Sequence, residues 1–519
     1  MSQEPPITPL NRKLARNAFF LLTSQVALSA LSLILTAVLG RWLGVMEFGV
    51  YYLLASLSAL VYVFVDWGQS AYLTRESACR RTDCGQLLGG ALVYRIAVAL
   101  MAALVTAALV KVVGYDGRTE FLIVLAVVCG LPLALSQAYG YVFRGRDRMD
   151  LDAAVNITGK ALTVAVTVPA LYLGGGLLTV VLLQAAGGVG ALVLATFMSA
   201  SIRVRAQRPE RGILRELASN GTPIAVVFVA MAVQPFIDAV VLAKLAPVEV
   251  VGWYGAARTI MGVLIAPAPI VGTAVLPELS RVSASVKDLR LALHGTSRLM
   301  VGLGVLAAIG TLQFADAAVG LVYGRGDFDP AIAVLKTFAP VLPLLFIDIL
   351  FANAIIAVGG NTKKIAIVKA LSVAVATGLS VVLIPLCQSR LNNGGIGLVL
   401  AFGLTEIMML TGLLCLLPRG TVGPYVLLAF LRAIVAGGST MVIFWVLPSV
   451  TPWLAIPACV AVFLALAYAT GLILRTDLAR IVESIEGTFR GLGLDSRDRT
   501  KAGTCRLDRS PVATDVDLD

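Results

Sequence analysis

Nine ionisable side chains interrupt long apolar stretches of this sequence: Asp66, Arg95, Lys160, Asp238, Arg258, Asp348, Lys369, Glu406 and Arg432. A charge in hydrocarbon costs about 2.5–3.5 kcal/mol on insertion scales, so each needs a counter-charge, a route to the headgroups or a ligand. Arg95, Lys160 and Lys369 lie within two turns or so of the end of a run, and Arg432 lies near the start of one. Long basic side chains there are expected to snorkel. Asp348 and Glu406 can pair with neighbours or serve an ion. Asp66, Asp238 and Arg258 are the remaining candidates for chemistry. A carboxylate in such a place can take up a proton or Na⁺, and a guanidinium can grip phosphate oxygens in a two-pronged manner. An Asp238–Arg258 pair that only ties two helices together fits the same two residues equally well.

Enzyme chemistry finds no support. The single His, His294, offers neither a His relay nor a Ser–His–Asp set, and there is no GK[ST] phosphate loop. The segment GRGDF reads as a loop between helices. Of the seven Cys, Cys79 and Cys84 share the loop CRRTDC, with no second pair to complete a metal site. They read as reduced thiols, and no cofactor is expected.

The elements that carry these residues follow from composition. Of 519 residues, 58% are apolar and only 14% are charged, and the mean hydropathy is +0.90. A water-soluble chain has no means of covering so much apolar surface. The formal charge of +11 would suit a nucleic-acid binder, but its basic residues sit in short loops between apolar runs. Crossing a bilayer takes about 20 mostly apolar residues in helix. Fourteen runs qualify: 17–40, 48–72, 88–112, 120–143, 153–174, 176–201, 219–243, 252–278, 297–323, 331–358, 365–386, 395–417, 425–447 and 452–474. The first is too long for a signal peptide and is expected to be retained. With this count, 28 Lys and Arg fall on one side and 6 on the other. Basic residues favour the cytoplasm, so both termini are expected there. The tail from 475 is polar, and DLARIVESIEGTFRGL within it suits an amphipathic surface helix.

Two segments repeat. Leu43–Tyr51 reads LGVMEFGVY and Leu245–Tyr254 reads LAPVEVVGWY, with Tyr51 and Tyr254 each two residues after a Gly. Ser77 and Ser280 follow the two tyrosines at a matching interval of 26. The offset spans six runs, an even number, so the halves share one orientation, as in a parallel repeat.

Three stretches resemble a known family. RWLGVMEFGVYYLLASLSALVYVFVDWGQSAYLTRES is similar to the first-to-second-helix signature of bacterial polysaccharide flippases. These are the Wzx-like members of the multidrug/oligosaccharidyl-lipid/polysaccharide exporter superfamily. LVYGRGDFDPAIAVLKTFAPVLPL, with Tyr323, Gly324, Phe328 and Ala331, resembles their ninth-to-tenth segment. LSVVLIPLCQSRLNNGGIGLVLAFGLTEI, with Pro385, Gly395, Gly397 and Glu406, resembles their eleventh-to-twelfth. The likeness extends to about residue 475.

The resemblance implies an all-α polytopic membrane protein. Its parts would be a lobe of six helices (1–215), a second lobe of six (216–420), two further helices (421–474) and a polar cytoplasmic tail (475–519). It implies a cavity lined by the first, second, seventh and eighth helices. It also implies passage of an undecaprenyl-pyrophosphate-linked oligosaccharide across the inner membrane by alternating access. Arg258, with Arg12, Lys13 and Arg16 at the cytoplasmic mouth, would then handle the anionic head. Asp66 and Asp238 would couple an ion, and Asp348 and Glu406 would pair or couple. The expected partners are the lipid-linked glycan, membrane lipids, and the polymerase and glycosyltransferases of a polysaccharide pathway. Nucleic acid is not expected. Rival readings are a cation-coupled multidrug exporter of the same superfamily, a peptidoglycan lipid II flippase and a non-transporting scaffold of a glycan-assembly complex.

Overall fold

The computed structural model describes residues 9–79, 84–283, 285–359, 362–446 and 452–472. All regular structure among them is helical. In chain order the α-helices are α1 (Pro9–Asp66), α2 (Gln69–Cys79), α3 (Cys84–Val113), α4 (Gly117–Gly145), α5 (Met149–Tyr172) and α6 (Leu177–Ser201). Then come α7 (Arg211–Ala232), α8 (Gln234–Leu245), α9 (Val248–Ile265), α10 (Pro267–Val282), α11 (Val286–Tyr323) and α12 (Pro330–Phe338). A short 3₁₀ turn, Ala339–Val341, leads into α13 (Leu342–Ala357). The last four are α14 (Thr362–Leu391), α15 (Gly394–Leu416), α16 (Tyr425–Val446) and α17 (Pro452–Ala469). Eleven helices among the described residues are long and apolar enough to cross a membrane. Leu454–Ala469 is a shorter apolar helix.

The helices depart from the continuous runs of the sequence at identifiable residues. Within α1, Gly44 adopts φ 73° and ψ 174°, a conformation that residues with a Cβ rarely adopt. The two arms of α1 fold back on each other there. Leu28 and Asp66 line one cavity, whereas a straight helix would hold them about 57 Å apart. Runs 219–243, 252–278 and 331–358 are each broken: at Val233 before Pro235, at Ala266 before Pro267, and at the 3₁₀ turn before Pro343. Proline has no N–H to donate and its ring clashes with the preceding turn, so the helix restarts there. The ninth run begins earlier than expected, because Ser285 caps α11 by accepting the Asp288 backbone N–H at 3.3 Å. The segment DLARIVESIEGTFRGL lies outside the described residues.

Packing differs between the two ends of the bundle. At the end marked by Gly44, residues from α1, α3 and α4 share one core with residues from α9, α11, α12 and α15. Phe48 packs edge-on against Tyr323 and Phe328, with ring centroids 5.5 and 5.6 Å away. Gly49 of α1 lies directly against Gly252 of α9, where a Cβ on Gly252 would run into the Val45 carbonyl. At the opposite end, marked by the Arg146 loop, the core divides in two. One part draws on α2 to α6, the other on α10, α11, α13, α16 and α17.

Candidate functional site

A cavity of about 660 Å³ opens among both arms of α1 and helices α4, α5, α6 and α7. Much of its wall is apolar or small, but polar groups converge on it. Tyr51, Ser58, Tyr62 and Asp66 come from α1, Gln137 from α4, Asn156, Lys160 and Thr163 from α5, and Gln184 from α6.

Asp66 enters this wall already neutralised. Its carboxylate pairs with the Arg95 guanidinium of α3 and accepts the Ser70 backbone N–H at 3.3 Å. Arg95 is 1% exposed. Its Nε donates to Gln69 Oε1 at 3.0 Å and its Nη1 to the Ala134 carbonyl at 2.6 Å. The Tyr141 ring lies 5.3 Å from the guanidinium. Arg95 therefore does not snorkel. A guanidinium with a carboxylate, an amide and a carbonyl around it is held more firmly inside the bundle than a single charge reaching for the headgroups.

Other polar groups of the wall have fixed partners. Gln184 Nε2 donates to the Tyr51 hydroxyl at 3.1 Å, and the Tyr62 hydroxyl donates to the Val127 carbonyl at 2.6 Å. Asn156 Nδ2 donates to Asp152 Oδ1 at 3.0 Å. Lys160 differs. It is half-buried in the cavity wall, and among the described residues no carboxylate or carbonyl lies within bonding distance of its ammonium. Ser58 Oγ is also buried without a hydrogen-bond partner. A half-buried cation with no counter-ion makes the cavity a place where an anion is favoured.

Two further charged groups lie elsewhere. Asp238 on α8 is buried and accepts a hydrogen bond from the Tyr254 hydroxyl at 3.4 Å. Arg258 on α9 sits 5.8 Å over the Phe402 ring, outside the residues that line the cavity. Among the described residues it forms no direct ion pair with Asp238. The second group joins Asp348 of α13 to Lys369 of α14 at 3.3 Å. Lys369 also approaches Met409 Sδ at 3.4 Å, and Glu406 of α15 lies within electrostatic reach of both charged groups. One oxygen of Asp348 and one of Glu406 are buried without a partner. Lys369 is thus held by a carboxylate instead of reaching the headgroups. Arg12, Lys13 and Arg16 fall in the opening turns of α1, and their side chains lie outside the described residues. No group of three or more His, Cys, Asp or Glu suited to a metal ion occurs among the described residues.

Residues 14–283 match the polysaccharide biosynthesis protein family, so the chain belongs to it. The fold is similar to that of a lipid II flippase, MurJ, in an inward closed conformation, with a TM-score of 0.67 and 12% identity over 87% of this chain and 97% of that one. It is also similar to a multidrug resistance transporter of the MATE family, in the MOP superfamily, in an inward-facing conformation. That likeness has a TM-score of 0.55 and 16% identity over 78% of this chain and 93% of the other. No curated protein matched. The shared fold and the eleven long apolar helices are those of a multi-pass membrane protein.

Proposed function

From membership of the polysaccharide biosynthesis family we propose that the chain is a flippase. It moves an undecaprenyl-pyrophosphate-linked oligosaccharide from the cytoplasmic to the outer face of the inner membrane by alternating access, supplying surface polysaccharide synthesis. The observation that carries this reading is the uncompensated Lys160 ammonium in a polar-walled cavity. A lipid pyrophosphate brings negative charge, and a unit charge pair about 4 Å apart is worth about 4 kcal/mol at an effective dielectric of 20. The amides of Gln137 and Gln184 and the hydroxyl of Ser58 suit sugar hydroxyls.

The reading takes the chain as fourteen crossings. Counting the folded-back α1 twice, α7 with α8 as one and α17 as another brings the eleven long apolar helices to that number. Two six-helix lobes would then be related by a parallel repeat. The facing of Gly49 and Gly252, equivalent positions of the repeated segments, supports this, because equivalent residues meet on a two-fold axis. The Arg146 end, with its excess of basic loops, faces the cytoplasm and carries both termini. There the two separate cores leave the lobes free to part, while the shared core at the Gly44 end keeps the outer side shut. Transport requires the reverse, with the Phe48–Tyr323–Phe328 contacts opening outward.

The charged residues take roles in this cycle. Lys160 receives the pyrophosphate in the cavity. Arg12, Lys13 and Arg16 gather the anionic head at the cytoplasmic mouth, and Arg258 engages it once the lobes move. Asp66 and Asp238, and the Asp348–Glu406 pair with Lys369 between them, are the sites where a proton or Na⁺ would drive the change. A polymerase and glycosyltransferases of the same pathway consume and supply the substrate. The test is reconstitution of the purified chain in vesicles containing a fluorescent undecaprenyl-pyrophosphate oligosaccharide. The sugar becomes accessible to an external glycosidase at a rate that depends on the chain. If vesicles with and without protein expose the sugar at one rate, the reading fails.

A further inference from the structure

A second concavity, of about 650 Å³, runs down the outside of the bundle. Its floor is the face of α3 from Tyr94 to Val113, flanked by Leu57, Leu60 and Phe64 of α1, by Trp67 in the turn after α1 and by Val240 of α8. Met101, Val105 and Leu109 along it are half exposed or more. From Tyr94 to Val113 the groove follows α3 for about 28 Å, close to the roughly 30 Å of a hydrocarbon core. Its lining is almost wholly apolar.

Three features distinguish this groove from an ordinary lipid-facing surface. First, it shares a wall with the polar cavity. On the second arm of α1, Ser58, Tyr62 and Asp66 face the cavity, while Leu57, Leu60, Val61 and Phe64 face the groove. Only one helix thickness, about 10–12 Å, separates the two. Second, the seam at the edge of that wall lies between α1 and the broken pair α7–α8. Ala225 and Val229 of α7 line the cavity, and Val240 of α8 lines the groove. The seam is pinned at the Arg146 end by the Trp67 Nε1–H donating to Thr222 Oγ1 at 3.2 Å. Third, the groove ends in a cation. Lys244 Nζ lies 3.7 Å from the centre of the Tyr115 ring and donates to the Val113 carbonyl at 2.9 Å, and both Tyr115 and Val113 line the groove.

We propose that this groove holds the polyisoprenoid tail of the lipid-linked substrate, with the second arm of α1 as the divider between tail and head. The assignment rests on the flippase reading. The apolar length accepts the chain, and the head reaches the cavity across one helix through the α1–α7 seam. Lys244 meets the phosphate when the head emerges at the Gly44 end. One molecule then satisfies both environments throughout the crossing, and the long tail never leaves hydrocarbon.

The experiment has two arms. In the first, a benzophenone amino acid replaces Val105 in the groove or Val193 on the lipid-facing side of α6, which is 63% exposed. Each variant is irradiated in phospholipid vesicles containing a low mole fraction of polyprenyl phosphate. The proposal expects the Val105 position to label polyprenyl phosphate about tenfold more than the Val193 position, an enrichment of one decade in local occupancy. Equal labelling, or labelling of Val105 mainly by phospholipid, assigns the groove to bulk lipid and overturns the proposal. In the second arm, Met101→Trp fills the groove and Val193→Trp is the control. Met101→Trp is expected to slow translocation of the polyprenyl-linked oligosaccharide about tenfold, with Val193→Trp unchanged. An undiminished rate in Met101→Trp overturns the tail route. If wild-type protein translocates nothing yet labels selectively at Val105, the flippase reading fails and the groove assignment stands.

Discussion

The two ends of the bundle share only some of their helices and pack in different ways. At the Gly44 end, α1 and α9 touch glycine to glycine, and three aromatic rings close the space beside them. A single core takes in helices from both halves of the chain. At the Arg146 end the cores are two, and each is tied internally by charge. Asp66 and Arg95 lock α1 to α3, and Asp348 and Lys369 lock α13 to α14. Close-packed interfaces built on small residues are able to open and re-form, because they bury few polar groups that must find new partners. Buried ion pairs hold their helices together as rigid bodies. In the proposed cycle this difference would place rigidity within each half and movement at the contact between halves.

The strongest way to break that contrast is to remove a charge that holds one half together. Arg95→Met leaves Asp66 with no counter-ion, and removing one partner of a buried pair costs about 3–5 kcal/mol. A large fall in the detergent-solubilised unfolding temperature is expected, with most of it restored when Asp66→Asn is added. No restoration in the double variant would mean that Arg95 acts through packing and not through Asp66.

A smaller effect is expected at the contact between halves. Gly252→Leu forces a side chain against the Val45 backbone, and overpacking of this kind costs about 1–3 kcal/mol. The cost falls on the closed Gly44 end alone. Translocation should be lost while the protein remains folded, and a cysteine placed at Phe48 should become reactive to an external maleimide. Gly212→Leu, where a Cβ meets open space, should leave both unchanged. If Gly252→Leu transports normally, the glycine contact is not part of the moving interface.

The smallest expected effect concerns a cap at the same end. Asp116 accepts from the Thr119 backbone N–H at 3.1 Å at the start of α4. Hydrogen bonds from Thr119 hold its carboxyl below the usual carboxylate range. A depressed carboxylate contributes stability above its unfolded-state pKa and loses it as pH falls through the folded value. Asp116→Ala should therefore cost about 1 kcal/mol near neutrality, and the gap to wild type should close in acid. Unfolding temperature measured against pH checks this, and a gap that stays constant into acid would contradict it.

These effects were legible in the sequence to different degrees. The apolar runs and their basic loops located the helices, because hydrocarbon thickness and charge asymmetry act locally along the chain. The breaks before Pro235, Pro267 and Pro343 fall inside runs read as continuous, because an apolar run gives the length of a crossing and hides the proline that interrupts it. The Asp66–Arg95 pair was not, since the two residues lie far apart in sequence and meet only through the packing of α1 on α3. Lys160 had a readable signal in the polar stripe Asn156, Lys160, Thr163 and Thr167, whose spacing puts all four on one face of α5. A lysine within two turns of a run's end reads as a snorkelling one, and the α5 stripe alone does not tell a cavity from the headgroup layer. Arg258 is the converse. Its helix, α9, was expected to line the cavity, but no α9 residue is in the cavity wall, and the Arg258 side chain rests on Phe402.

Under the proposed function, the lone Lys160 ammonium in the cavity draws the pyrophosphate head across. The decisive comparison sets Lys160→Gln and Lys160→Arg against wild type for vesicle translocation of the undecaprenyl-pyrophosphate oligosaccharide at matched protein levels. Lys160→Gln is expected to slow translocation by about tenfold or more, each decade being about 1.4 kcal/mol of lost attraction, and Lys160→Arg to keep a substantial part of the rate. A Lys160→Gln protein that moves the substrate at the wild-type rate would contradict it.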